Sequence, residues 1–490
     1  MKILMLNPPF LPKYSRFSRS PAVTKSGTIY YPIWHAYATG VLEKKGHNVW
    51  LIDAPADGLS REECFKIATD FQPEMIVVYT STPSIYNDIE IAGIIKNLLP
   101  ESFIVLTGPH VSALPEESLG IDNRVDAIAR KEYDVTLVDL VSVLAGKADL
   151  QGVRGITFRS GGKITSNPDR DFIQDMDSLP FVSEVYKKHL KIENYFYAHC
   201  RYPVISIFTS RGCYGQCNYC VYPQQMFGRK QRQRSPENIV AEFEYIEKEL
   251  PQVEEVLIDD DTFSFNQEHT IKFCELMIQK NINLPWTVES RANLKYETMV
   301  MMKKAGCRLI VVGFESADNQ ILKNIKKSLT VERMKQFVLD AKKAGIMIHA
   351  CFMAGNKGET KDTLMKSLKF AKEMNADTCQ FFPLMVYPGT EAYHWAKTNG
   401  YLKTTDFREL LTKDGLHNCV ISTPELSAED LVEFCDYARK NYYLNPRYLV
   451  YKLAQMFHSP DEIRKTFKSA RTFLKYLFKK QTRFKKVSRC

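Results

Sequence analysis

Three cysteines, Cys213, Cys217 and Cys220, stand on one short stretch, Arg211-Gly-Cys-Tyr-Gly-Gln-Cys-Asn-Tyr-Cys220. The spacing C-x3-C-x2-C lets thiolates on a single loop converge on one metal centre. A structural zinc normally takes four closed protein ligands, and here the next cysteine is Cys274, with no Cys or His at finger spacing. Three thiolates leave one coordination position for a non-protein ligand, which is the pattern of an iron–sulfur cluster. The rival reading is a non-catalytic iron–sulfur or zinc-binding protein. The other nine cysteines are scattered singly. The start MKILMLNPPF is not signal-like, and a chain this long needs no disulfides, so the expected compartment is reducing, hence cytoplasmic.

The cysteine loop must be positioned by the elements around it. Apolar runs at 204–210, 253–261, 284–292, 308–316, 346–355 and 378–386 alternate with helical stretches between about 203 and 390. Six such β/α units predict a partial TIM-like barrel over 201–392, whose chemistry comes from the C-terminal ends of its strands. Those ends are polar: Ser210-Arg211, Asp259-Asp260-Asp261, Glu289 with Arg291, Glu315-Ser316 and Gly355-Asn356. Carboxylates at strand ends also serve as N-caps, so each has a structural alternative.

Before this series, 1–150 also alternates short apolar runs with amphipathic helices, which predicts a doubly wound parallel sheet. Its ligands belong beyond the C-terminal strand ends. No G-x-G-x-x-G follows the first strand, so a dinucleotide site is not expected. Residues 151–200 read as a connector with a hairpin turning at Gly161-Gly162, and 393–490 as a helical C-terminal region. The fold class is therefore α/β: a Rossmann-like domain, a partial (β/α)6 barrel and a helical end.

C-x3-C-x2-C directly after the first strand of a partial barrel resembles the radical S-adenosylmethionine (SAM) enzymes. The resemblance covers about 200 residues and implies that the three cysteines hold a 4Fe–4S cluster. It implies SAM on the unique iron and a 5′-deoxyadenosyl radical released by its reductive cleavage. A low-potential electron donor such as flavodoxin or ferredoxin is then required. Tyr219 matches the aromatic position beside the adenine. IDDDTF (258–263) lies where the SAM amino group is met, which implicates Asp260 or Asp261. Glu289 and Arg291 fit ribose or methionine contacts, and GFES (313–316) places Glu315 near the ribose. Gly355-Asn-Lys-Gly-Glu-Thr360 resembles G-x-P-G-E-T with Lys357 in place of Pro, and Tyr387-Pro-Gly-Thr390 matches the end of strand six.

A doubly wound domain ahead of such a barrel resembles the cobalamin-binding (B12-binding) members of the superfamily. Asn7-Pro-Pro9, TSTPS (80–84) and GPHVSALPEESL (108–119) resemble that domain's loops. They imply Gly108 as a close-approach position, and Ser81, Thr82 and Ser112 as donors to cobalamin. The D-x-H-x-x-G motif, whose histidine ligates cobalt from below, is absent, and Arg130-Lys-Glu-Tyr-Asp134 replaces a Gly-Glu-rich turn. His110 follows a strand and reads as structural.

Composition bounds the partners. Of 490 residues, 44% are hydrophobic and 25% charged, as in an ordinary globular protein. Residues 461–490 hold eleven Lys/Arg and two acids, so the whole net charge of +9 lies there. No nucleic-acid partner is expected of the rest. Phe467, Ala470, Leu474 and Leu477 at three-to-four spacing make this tail a basic amphipathic helix suited to a membrane surface. Tyr31-Pro-Ile-Trp34 and the run Leu51–Leu59 resemble the hopanoid-associated branch of the superfamily, which implies remodelling of a lipid sugar headgroup. The alternative is cobalamin-dependent C-methylation of a small-molecule or lipid substrate.

Overall fold

The computed structural model describes residues 1–146 and 148–456; the basic tail expected at 461–490 lies outside the described residues. The first seven strands are β1 (Lys2–Asn7), β2 (Asn48–Asp53), β3 (Met75–Tyr79), β4 (Phe103–Thr107), β5 (Ala127–Ala129), β6 (Ile156–Ser160) and β7 (Lys163–Ser166). They form one sheet in the order β2-β1-β3-β4-β5-β6-β7. β1 to β5 are parallel, and the strand order reverses between β1 and β3. Helices on both faces explain why β3 and β5 are buried throughout and read as continuous apolar runs. The hairpin β6–β7, read from the sequence as part of a connector, extends this sheet as its antiparallel edge. Arg130 pins it there, donating to the carbonyls of Ile156 and Asn167 at 2.6 Å each.

A second sheet holds β8 (Val204–Ile207), β11 (Glu255–Ile258), β12 (Trp286–Ser290), β13 (Cys307–Glu315), β14 (Met347–Ala354) and β15 (Thr378–Pro383), paired in chain order. Every pair is parallel, and β8 and β15 are the two free edges, so the arc is an open, partial barrel. Between β8 and β11, the short antiparallel pair β9 (Ser210–Arg211) and β10 (Arg232–Gln233) ties off the base of the cysteine loop. Several strands are shorter than the apolar runs suggest. β11 ends at Ile258, which leaves Asp259, Asp260 and Asp261 beyond it as a loop at the barrel mouth.

The C-terminal part carries helices Glu391–Thr398, Ala428–Tyr443 and Pro446–Met456. From 399 to 427 the chain is mostly irregular and lies over the N-terminal half, where Phe407 sets its ring 4.8 Å from His110 and His417 bonds Ser20 at 2.9 Å. Among the described residues no helix is long and apolar enough to cross a membrane.

The two sheets are joined by a buried ion network. Arg211, the last residue of β9, lies 2.8 Å from Glu132 and 2.7 Å from Asp134, and Arg232 of β10 lies 2.8 Å from Glu132. All four are nearly inaccessible. The rings of Tyr37 and Trp34 cover the Arg211 guanidinium at 5.0 and 5.3 Å. The segment Arg130–Asp134 thus supplies both acids. Removing one partner of such a set strands the others without solvent, at a cost of about 3–5 kcal/mol. Arg211→Met is therefore expected to lower the unfolding free energy in urea by about that amount. A loss below about 1 kcal/mol would show that the network is dispensable.

Candidate metal centre and the carboxylates around it

The cysteine loop leaves the barrel at Gly212, whose φ of +85° and approach to the carbonyl of Lys230 leave no room for a side chain. Cys213 and Cys217 are buried, and Cys220 is half-buried. Two donors face the thiols. The Gly215 N–H points to Cys213 Sγ at 3.4 Å, and Arg291 Nη1 lies 3.6 Å from Cys217 Sγ. A Cβ on Gly215 would meet the Arg291 guanidinium at 2.6 Å, so a larger residue there would displace the end of that side chain. Arg229 and Arg291 hold the loop further by donating to the carbonyls of Gly215 and Lys327. Arg291, which the resemblance implies as a ribose or methionine contact, sets its guanidinium against the cysteine loop and across the Tyr214 ring at 5.6 Å.

Of the three aspartates past β11, each has a different environment. Asp260 accepts four hydrogen bonds from the segment that leads from β8 into β9: the backbone N–H and hydroxyl of Thr209 at 2.7 and 2.6 Å, and those of Ser210 at 3.1 and 2.7 Å. Its carboxylate is saturated within the fold. Asp259 pairs with Arg19. Asp261 is the reverse case. It is buried, neither carboxylate oxygen has a hydrogen-bond partner, and Arg19 stands off at 3.6 Å. Burial, opposed by Arg19 and aided by Asp260, pushes its pKa up to about 6. Its charge also acts on the thiols of Cys213 and Cys220. A buried carboxylate with two idle acceptors beside a three-thiol loop is a ready partner for a cationic ligand.

Glu315 sits at a register break in β13, between Gly313 and Glu315, with φ +67°. The left-handed backbone costs a non-glycine residue roughly 1–3 kcal/mol and turns the side chain into the barrel mouth. There Oε1 receives the Tyr219 hydroxyl at 3.0 Å and Lys327 Nζ at 2.9 Å, while Oε2 is buried and unpartnered. Tyr219 is thus held by its hydroxyl rather than by ring stacking.

Glu289 faces Arg19 at 2.9 Å, and burial drives its pKa up to about 8, with Arg19 opposing and Asp259 reinforcing. Arg19 and Lys327 were not anticipated from the sequence. Arg19 comes from the segment after β1 yet answers three barrel carboxylates, Asp259, Asp261 and Glu289. The only sequence signal was a pair of arginines, Arg16 and Arg19, in a loop leaving a strand's C-terminal end.

The expected cobalamin contacts have internal roles. Ser81 bonds the Tyr14 hydroxyl at 2.9 Å and Ser84 at 2.7 Å. Thr82 meets His110 at 3.3 Å, and Ser112 donates to the Gly108 carbonyl at 2.8 Å. Gly108 has φ +118°, and a Cβ there would strike the carbonyl of Thr80 at 2.4 Å, so its close approach is to the protein's own backbone. Burial lowers the His110 pKa to about 3, which keeps the ring neutral. The crevice between the sheet edge and the barrel, bordered by Tyr79, Thr82, Pro109, Tyr222 and Tyr387, is closed to ≈10 Å³ by Arg16, Ser18, Arg19 and Pro21. It lies where the strand order reverses, as a ligand site of this sheet should.

The turn at 355–360 survives the replacement of Pro by Lys357. Glu359 closes it, accepting from the N–H groups of Gly355 at 2.7 Å and Asn356 at 2.9 Å. Asn324 bonds the Lys357 carbonyl at 2.9 Å.

Comparison with known proteins agrees with this geometry. A model of the Radical SAM superfamily matches residues 207–371, and a model of the B12 binding domain matches 19–141. The uncharacterised methyltransferase PH0819 of Pyrococcus horikoshii is 30% identical over 451 residues, 92% of this chain and 94% of that protein. The anaerobic magnesium-protoporphyrin IX monomethyl ester cyclase of Rubrivivax gelatinosus is 27% identical over 431 residues, covering 86% of this chain and 75% of its own. Among solved structures, the cobalamin-dependent SAM radical enzyme OxsB, with aqua-cobalamin and SAM bound, superposes with a TM-score of 0.70 over 97% of this chain and 72% of that one, at 17% identity.

Burial pushes the Glu359 pKa up to about 8, against an ordinary value of about 4.3. The folded state therefore holds a proton that the unfolded chain releases. The stability this confers is complete below about pH 4.3 and is lost as pH rises through about 8, by at most ~1.4 kcal/mol per pH unit. Glu359→Gln, which mimics the protonated acid, is expected to flatten the fall in unfolding free energy between about pH 5 and 8. An unchanged slope would contradict a protonated Glu359.

Proposed function

Because this chain belongs to the radical SAM superfamily and carries a B12 binding domain, we propose that it is a cobalamin-dependent C-methyltransferase. It is an enzyme whose cofactors are a 4Fe–4S cluster, SAM and cobalamin. When bound, these supply a carbon radical on the substrate and a methyl group to quench it.

The protein's own residues divide the work. Cys213, Cys217 and Cys220 hold the cluster, with Arg291 and the Gly215 N–H donating toward their sulfurs. Asp261 accepts the SAM ammonium with its two idle oxygens. The free Oε2 of Glu315 accepts from the ribose, its other oxygen being fixed by Tyr219 and Lys327. Glu289 and Asp259 face the barrel mouth and wait on Arg19 rather than on SAM.

The observation that carries the class is the three-thiol loop beside Asp261, whose two carboxylate oxygens have no hydrogen-bond partner. Methyl transfer is preferred to hopanoid headgroup remodelling because the relative matched over nearly its whole length is named a methyltransferase. The cyclase relative keeps a radical outcome without methyl transfer as the second reading.

After anaerobic reconstitution with iron, sulfide and cobalamin, SAM and a low-potential reductant should yield 5′-deoxyadenosine and S-adenosylhomocysteine together. Deoxyadenosine without homocysteine product would overturn methylation in favour of remodelling. Cys217→Ala should abolish both products. Asp261→Asn should raise the KM for SAM about tenfold or more, the worth of a charged hydrogen bond, with cluster content unchanged. An unaltered KM would remove Asp261 from the SAM site.

A further inference from the structure

The helix Pro446–Met456 has two unlike faces. On one, Tyr448 is buried and its hydroxyl bonds the Asp377 carbonyl at 3.0 Å, while Tyr451 bonds the Asp377 carboxylate at 2.7 Å. On the other, Leu449, Val450 and Leu453 are 45, 68 and 57% exposed, and Leu444 just before the helix is 46% exposed. On the helix these exposed large apolar side chains are contiguous at one-and-four spacing. A solvated helix face does not ordinarily carry them together.

A groove of ≈390 Å³ between the helices Lys361–Met374 and Ala428–Tyr443 is bordered by Leu368, Lys369, Lys372 and Asn441 and, from the first turn of this helix, by Arg447. Its rim holds three cations against one acid, Glu373. An apolar row flanked by a basic groove matches the two layers of an anionic lipid surface, acyl boundary and headgroup.

We propose that this face docks the enzyme on an anionic lipid bilayer, with Leu449, Val450 and Leu453 at the acyl boundary and Lys369, Lys372 and Arg447 at the phosphates. Charge decides among the candidate occupants. The segment 461–490 that follows is itself strongly cationic, so folding it back would set like charges against the groove. A second copy would oppose two identical basic grooves across a two-fold axis. A bilayer bearing negative charge neutralises the groove. The face lies at the N-terminal end of β15, where Asp377 precedes Thr378, so docking there leaves the cysteine loop at the opposite end of the barrel facing away from lipid. The proposal is independent of which reaction the site performs.

The test uses the full-length chain and vesicles of phosphatidylcholine with or without phosphatidylglycerol, read by flotation. Binding to the phosphatidylglycerol vesicles is expected, falling about tenfold or more in Leu449→Glu/Val450→Glu/Leu453→Glu and in Lys369→Glu/Lys372→Glu. The apolar variant alters exposed side chains and the charge variant one exposed and one half-buried lysine, so their thermal midpoints should match the parent. The proposal is overturned if the full-length chain ignores anionic vesicles. It is equally overturned if the apolar variant binds as the parent does. A shift from dimer to monomer in that variant, with vesicle binding intact, would overturn it in favour of self-association.

Discussion

Everything at the barrel mouth hangs on two arginines and two acids that have no access to water. Arg211 and Arg232 flank the cysteine loop on the β9–β10 pair, and Glu132 and Asp134 reach them from the end of the N-terminal sheet. The loop's base is therefore fixed against the other half of the molecule before any metal arrives. Ion pairs of this kind contribute little net stability compared with an apolar contact of equal volume. What they enforce is alignment, since any other register of the two sheets leaves charge buried without a partner. The aromatic cover over Arg211 excludes the water that would make such a misfit tolerable.

The same logic explains how the aspartate run is used. Three consecutive acids look equivalent as a string, but the fold gives them separate duties. Asp260 stitches β11 to β8, Asp259 faces Arg19, and only Asp261 is left with idle oxygens beside the thiols. The backbone direction past a short strand decides this, and hydrogen bonding from Thr209 and Ser210 locks it. A functional carboxylate here is one whose neighbours satisfy each other and leave it aside.

This also marks what was legible in the sequence. The cysteine spacing, the two alternating β/α series and the polar strand ends are local patterns, and both sheets stand where those patterns put them. The hairpin β6–β7 reads locally as a turn, but its membership of the first sheet depends on Arg130 reaching carbonyls more than twenty residues away. Ser81, Thr82, Gly108 and Ser112 carry the right residue types at the right edge, and the fold spends them on Tyr14, His110, Thr80 and each other. Arg19 and Lys327 gave no motif, because their partners lie far along the chain. Headgroup remodelling rested on short resemblances near the N-terminus, and a fold does not by itself fix the substrate it accepts.

Arg19 carries one more implication. It is covalently part of the domain that holds the first sheet, yet among the described residues its charge is answered only by Asp259, Asp261 and Glu289 of the barrel. The two halves therefore share one electrostatic centre and are not interchangeable cassettes. A chimera that joins this barrel to another family member's N-terminal domain inherits three carboxylates with no counter-ion, however well its backbone superposes. Grafting between relatives would have to carry the arginine-bearing segment along with the barrel, which puts the functional boundary inside the first domain rather than at the linker.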